Sequence, residues 1–176
     1  FQMCSQLMLK INKNNKPVIA MVDGIATAAG CQLISSCDLA YSSNRSKYAT
    51  PGVNIGLFCS TPMVPLSRTV GKKQAMEMLL TGDLIDANKA LRIGLINDVF
   101  ETDNLKENVF QIAKKISSKS SNTIKIGKEA FYRQKDMNLE DAYAYTSKVM
   151  TENMLHDDSK EGIKAFLEKR EPNWKE

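Results

Sequence analysis

The chain has 176 residues, 43% of them hydrophobic and 25% charged, with a formal net charge of +4. That length fits one domain with a core of its own, and the charge balance is too mild to argue for a nucleic-acid partner. Four cysteines lack metal-ligand spacing, the presence of only one histidine (His156) argues against a Ser-His-Asp triad or a histidine-rich metal site, and no apolar run spans a membrane.

Phe1, Met3, Cys4, Leu7, Met8 and Ile11 recur at helical spacing, so the chain opens inside a helix that reads as the tail of something longer. The polar run Asn12-Lys13-Asn14-Asn15 ends it before Pro17. Residues 17–22 (PVIAMV) predict a strand covered on both faces. A run of small residues follows, in which Gly24 is expected at positive φ, and a helix is expected to begin near Ala29. The first amides of a helix have no intrahelical partners, so this start is a ready site for a negative oxygen. A tight strand-to-helix turn packed on a neighbouring element accounts for the same residues.

A second strand is predicted over 39–42, a polar turn over 43–46, a short extended piece over 47–49 and a turn at Pro51-Gly52. Residues 60–93 read as three helical pieces broken at Gly71 and at Thr81-Gly82. Ala75, Met76, Leu79 and Leu80 share a face, Asp86 is a predicted N-cap, and Gly94 is a predicted stop. Residues 95–100 form a last strand, and the order so far is that of an α/β protein. Beyond it the chain is helical. Leu105, Val109, Ile112, Ala113 and Ile116 line one helix starting near Thr102; Ile124, Gly127, Ala130, Phe131 and Gln134 line the next; Leu139, Ala142, Tyr143, Thr146 and Val149 line a third. The cations Lys125, Lys128, Arg133 and Lys135 are either a solvated helix face or a binding patch. Asp158 with Glu161 has capping-box spacing for a last helix, with Ile163, Phe166 and Leu167 inward.

Lys16-Pro17-Val18-Ile19-Ala20, Asp23-Gly24, Gly30-Cys31-Gln32-Leu33, Cys37-Asp38, Tyr48-Ala49-Thr50-Pro51, Ile55-Gly56, Thr81-Gly82, Ala90, Gly94-Leu95 and Glu161-Gly162 resemble, in order, the crotonase (enoyl-CoA hydratase/isomerase) superfamily. Gln32 together with residues 52–62 marks one branch of it. The resemblance implies a spiral of ββα units, of which residues 1–100 are the later turns, and a helical trimerisation region over 101–176. It also implies an acyl-CoA thioester as partner, with coenzyme A present as part of the substrate and no other cofactor or metal. A homotrimer or hexamer working in fatty-acid metabolism is expected, in the mitochondrial matrix if the source is eukaryotic and in the cytoplasm if bacterial.

The family's shared device is an oxyanion hole of two backbone amides. One maps onto Ala29; the other falls outside these residues. Hydration further needs two carboxylates to move protons, and their positions here hold Gln32 and Gly52, neither of which exchanges a proton near neutral pH. Gln32 is either an orienting amide or a polar residue that hydrogen-bonds its own turn. The carboxylate of the dienoyl-CoA isomerases matches Ser60. Cys59 and Ser60 are candidates to face the acyl group but have no visible base. Asp23 and Asp38 match turn-capping positions. Phe166 and Lys169 match positions that reach a neighbouring subunit's CoA adenine and phosphate, although Phe166 also fits a core role. Two readings follow: an acyl-CoA enzyme without the standard hydratase mechanism, and a catalytically inactive acyl-CoA-binding or assembly partner.

Overall fold

Short apolar runs alternating with helical stripes fold, in a computed structural model that describes residues 1–175, into two units. One comprises residues 1–14 and 18–113, the other residues 15–17 and 114 onward.

The first unit starts with α1 (Gln2–Lys13), which buries Met8 and Ile11 and is tied down where Asn12 Nδ2 donates to the Ser36 carbonyl. Then come β1 (Ile19–Val22), β2 (Ile25–Thr27), α2 (Ala29–Ser36), β3 (Leu39–Ser43) and β4 (Lys47–Ala49). After a 3-10 turn over Pro51–Ile55 the chain forms α3 (Met63–Thr69), α4 (Lys72–Thr81), β5 (Ile85–Asp86), α5 (Ala87–Arg92), β6 (Asp98–Phe100) and α6 (Thr102–Ser117), of which residues 102–113 belong to this unit. Ile19 lies opposite Leu39 in one parallel pair and Ile25 opposite Lys47 in another, so one coil of the chain carries β1 onto β3 and β2 onto β4. The result is two small sheets, ordered β1-β3-β6 and β2-β4-β5, with only the β4–β5 pair antiparallel.

β1 packs on both faces as expected, Ala20 and Val22 against the main core and Ile19 against Tyr41, Leu105 and Val109, although as an edge strand it is only half buried and leaves Met21 exposed. Two expectations are corrected here. Ile25–Thr27 is a strand rather than part of a turn; its three residues are held by pairing with β4, a contact invisible to local periodicity. In α4 the buried residues are Ala75, Met78 and Leu79, while Met76 and Leu80 point outward, because the core lies on the side that Met78 shares with Ala75.

The core of this unit joins Cys31, Ile34, Tyr48, Cys59, Leu66, Met78 and Leu79 across both sheets and the helices. Threaded through it is a buried polar chain. Tyr48 Oη donates to Ser42 Oγ at 2.6 Å, Ser42 Oγ donates to the Ser43 carbonyl, Ser43 and Ser46 share a hydroxyl bond, and Ser46 Oγ accepts from the Gly24 N–H at 3.1 Å. Satisfied buried hydroxyls of this kind hold one arrangement, here the turn that launches β2. Outside it, Asp23 takes two bonds from Arg45, which holds its carboxyl below the usual range, and Asp38 Oδ2 accepts from the Val18 N–H at 2.7 Å.

The second unit holds α7 (Ser121–Gln134), α8 (Leu139–Met154) and α9 (Asp157–Leu167). Ser120 and Asn138 cap the first two by accepting from Thr123 N–H and Asp141 N–H. Lys128 donates to the Lys16 carbonyl and Arg133 lies 4.7 Å from the Tyr145 ring centre, so these two cations of α7 serve contacts inside this unit. The predicted capping box of α9 does not form. The helix begins earlier, after His156, and Asp158 instead accepts from the Ser120 hydroxyl and the Lys175 N–H. Its inward residues are Asp158 and Ala165; Ile163, Phe166 and Leu167 are exposed.

Candidate functional site

At the mouth of α2 the backbone does something unusual. Gly24 sits at φ +117°, as its position at a strand exit predicts, and β2 then delivers the chain to Ala28 at φ +46°, ψ −110°. Alanine is rarely found there, at a cost of the order of 1–3 kcal/mol. Two hydrogen bonds hold it: Ala28 N–H donates to the Ala49 carbonyl at 3.0 Å, and its own carbonyl accepts from the Gln32 N–H at 2.9 Å. The twist at Ala28 lets Ala29 enter the helix at ordinary negative φ, so alanine is tolerated there. Among the described residues the N–H groups of Ala29, Gly30 and Cys31 have no acceptor, and Ala29 is exposed. Unpaired amides at a helix start favour an oxygen carrying negative charge, and of these three residues Ala29 is the exposed one while Cys31 is buried.

One turn along, Gln32 is only 4% exposed. Its Oε1 lies 3.6 Å from the Cys4 thiol of α1, which donates to it, and its backbone carbonyl accepts from Ser36 Oγ at 2.7 Å. Cys31 beside it is buried, and burial pushes its thiol up to about 11, so it stays neutral. Gly52 lies in the 3-10 turn. Its N–H donates to Cys59 Sγ at 3.3 Å and its carbonyl accepts from the Leu57 N–H at 2.9 Å. Ser60 is exposed, and its hydroxyl is turned back on the Phe58 carbonyl at 3.3 Å. Among the described residues no carboxylate or imidazole bonds to Gln32, Gly52 or Ser60.

Ala29, Gln32, Gly52 and Ser60 therefore all belong to the first unit. Phe166 and Lys169 belong to the second, around the end of α9. There Lys169 sits at φ +53°, Arg170 N–H donates to the Ala165 carbonyl and Lys169 N–H to the Phe166 carbonyl. This is a Schellman ending with lysine where glycine is the common choice. Phe166 is 82% exposed, so the core role does not apply to it within these residues. A strap beyond it is pinned by Glu161, which binds Arg170 at 2.7 and 3.1 Å and accepts from the Asn173 N–H. Those bonds hold the Glu161 carboxyl down to about 2. Trp174 closes the strap, donating to the Ser118 carbonyl and lying where a Cβ on Gly162 would meet its ring at 3.2 Å. Two features escaped the sequence reading: the strain at Ala28, because alanine carries no sign of it, and the thiol contacts, because no spacing rule joins Cys4 to Gln32 or Cys59 to Gly52.

Comparison with known proteins supplies the family. Residues 2–176 match the family described as enoyl-CoA hydratase/isomerase. The enoyl-CoA hydratase domain-containing protein 3, mitochondrial, of Rattus norvegicus is 51% identical over 174 residues, 99% of this chain and 58% of that protein; the Homo sapiens protein of that name is also 51% identical. The 2,3-dehydroadipyl-CoA hydratase of Escherichia coli K12 is 33% identical over 171 residues, 97% of this chain and 67% of that protein. Among solved structures, an enoyl-CoA hydratase of Mycobacterium smegmatis superposes with a TM-score of 0.97 at 46% identity, with 99% of this chain and 68% of that one covered. Human enoyl Coenzyme A hydratase domain-containing protein 3 gives 0.96 at 51% identity, with 99% and 69% covered. The chain thus spans a little under three-fifths of the length of the first of these curated relatives. With its α/β coil and helical region matched throughout, the chain belongs to the enoyl-CoA hydratase/isomerase (crotonase) family.

Proposed function

We propose that this chain supplies the acyl-CoA thioester-binding part of a crotonase-family protein of fatty-acid metabolism in which both hydratase glutamates have been replaced. The open N–H of Ala29 at the start of α2 carries this reading. It donates to the thioester oxygen as that atom gains charge, alongside a second donor from outside these residues. Losing one such donor costs about 10²–10³ in rate. The amide polarises the thioester, but nothing at Gln32 or Gly52 takes a proton from water or returns one to carbon. Each missing acid or base is worth about 10²–10⁴. A protein of this kind binds enoyl thioesters and adds water to them far more slowly than a two-glutamate hydratase, unless a carboxylate from outside the chain intervenes. Gln32 then orients substrate or water.

The second reading is a catalytically inactive acyl-CoA-binding or assembly partner, and the side-chain-free position 52 favours it. Coenzyme A enters as part of the bound thioester, with no separate cofactor. Phe166 stacks on the adenine and Lys169 meets a phosphate of a neighbouring subunit's ligand, within a homotrimer or hexamer. A mitochondrial matrix location follows the names of the eukaryotic relatives, and a cytoplasmic one applies if the source is bacterial. Calorimetry and a hydration assay with crotonyl-CoA on the full-length protein test the proposal. Binding with weak turnover that falls in Gln32→Ala supports the enzyme reading, and binding without turnover supports the inactive partner. Absence of binding defeats both.

A further inference from the structure

The geometry points to Cys59 as a positioning residue whose thiol latches residues 51–59 closed on Gly52, so that this loop presents backbone and no side chain at position 52. The inference rests on the acyl-CoA reading above and explains why its acid position is bare.

Gly52 is not at positive φ, so its backbone conformation does not require glycine. Space does. A Cβ built there lies 2.7 Å from the Leu57 carbonyl oxygen, 2.9 Å from Cys59 Sγ and 3.3 Å from the Cys59 nitrogen. Two of these three atoms belong to Cys59, and the loop is cross-tied by Leu57 N–H to the Gly52 carbonyl and Gly52 N–H to the Cys59 thiol. Gly56, at φ +74°, makes the reversal that brings Leu57 back over Gly52. The loop has little freedom to swing away. Cys59 is buried in the same core cluster as Cys31 and Leu66, and on another side Val53 and Asn54 press on Gly82, where a Cβ would meet both at 3.1 Å. At its head, the Ala28 N–H bond to Ala49 ties the lead-in to the mouth of α2. A carboxylate at position 52 is therefore excluded by its surroundings, and returning the single residue does not return the chemistry.

The test uses the full-length protein and four measurements. Hydrogen exchange at the Gly52 amide is slow in the wild type, at least tenfold faster in Cys59→Ala, and restored in Cys59→Ser, which keeps an acceptor. Gly52→Ala lowers the melting temperature, and that drop is at least halved when Cys59 is also alanine. Gly52→Glu hydrates crotonyl-CoA no faster than the wild type, whereas Gly52→Glu with Cys59→Ala gains at least tenfold over it. Fast hydration by Gly52→Glu alone, or a Gly52→Ala protein that melts with the wild type, overturns the latch. Failure of the wild type to bind crotonyl-CoA in calorimetry instead defeats the acyl-CoA reading, and the exchange and melting results still judge the loop.

Discussion

At the scale of single residues, strain and an orphaned hydroxyl flank the candidate site. Ala28 holds a backbone conformation that glycine adopts without penalty, so Ala28→Gly is expected to raise unfolding free energy by about 1 kcal/mol after glycine's extra chain entropy is counted. Ala28→Val should lose more than that, because a β-branched side chain suits the position least. Denaturant unfolding measures both. Thr50 is fully buried, and among the described residues its hydroxyl has no partner. Burying an unpaired hydroxyl costs about 1–3 kcal/mol, so Thr50→Val, nearly the same shape, should be neutral or stabilising. A clear loss in the same unfolding experiment contradicts that view. Gly24 and the helix start at Ala29 were legible because glycine at a strand exit and a run of small residues are local signals. The Ala28 twist was not, since its cause lies in bonds to Ala49 and Gln32.

Among the elements, α9 and its strap show how spacing misleads. Asp158 and Glu161 have the separation of a capping box, but distant partners claim both: Ser120 and Lys175 hold the first, Arg170 and Asn173 the second. The charged form of Glu161 is favoured by folding, its carboxyl falling from 4.5 to about 2. Unfolding therefore takes up a proton between those values. The stability it contributes is complete above pH 4.5 and lost as pH falls toward 2. Glu161→Gln should flatten the acid limb of stability against pH in that window while leaving neutral stability lower. At the end of the same helix, Lys169→Gly relieves a left-handed residue and should stabilise the fold by up to about 1 kcal/mol. If the lysine meets a CoA phosphate, the same change weakens CoA binding by about tenfold. A variant that is more stable and binds CoA as before contradicts that role. The strands β1 and β3 were legible from their apolar runs, and β4 as a short extended piece between two turns; β2 and β5 have no such local signal and are held by pairing with β4.

For the whole molecule, the α/β order and the change to all-helical structure were legible, because alternating short strands and helices leave a distinct hydropathy pattern. Which helix faces are covered was not. Phe131, Tyr143, Met150, Ile163 and Phe166 fall on apolar stripes yet stay exposed among the described residues. Exposed apolar residues on helix faces are what the proposed assembly would cover. The full-length protein should accordingly sediment as a trimer or hexamer, and a monomer at micromolar concentration would contradict the assembly proposed. The central claim is that the α2 mouth polarises a thioester. Isotope-edited infrared spectroscopy of crotonyl-CoA bound to the full-length protein reads this directly. A carbonyl stretch lowered on binding is predicted. A carbonyl frequency equal to that of the free thioester in water, with binding demonstrated in the same sample, would contradict it.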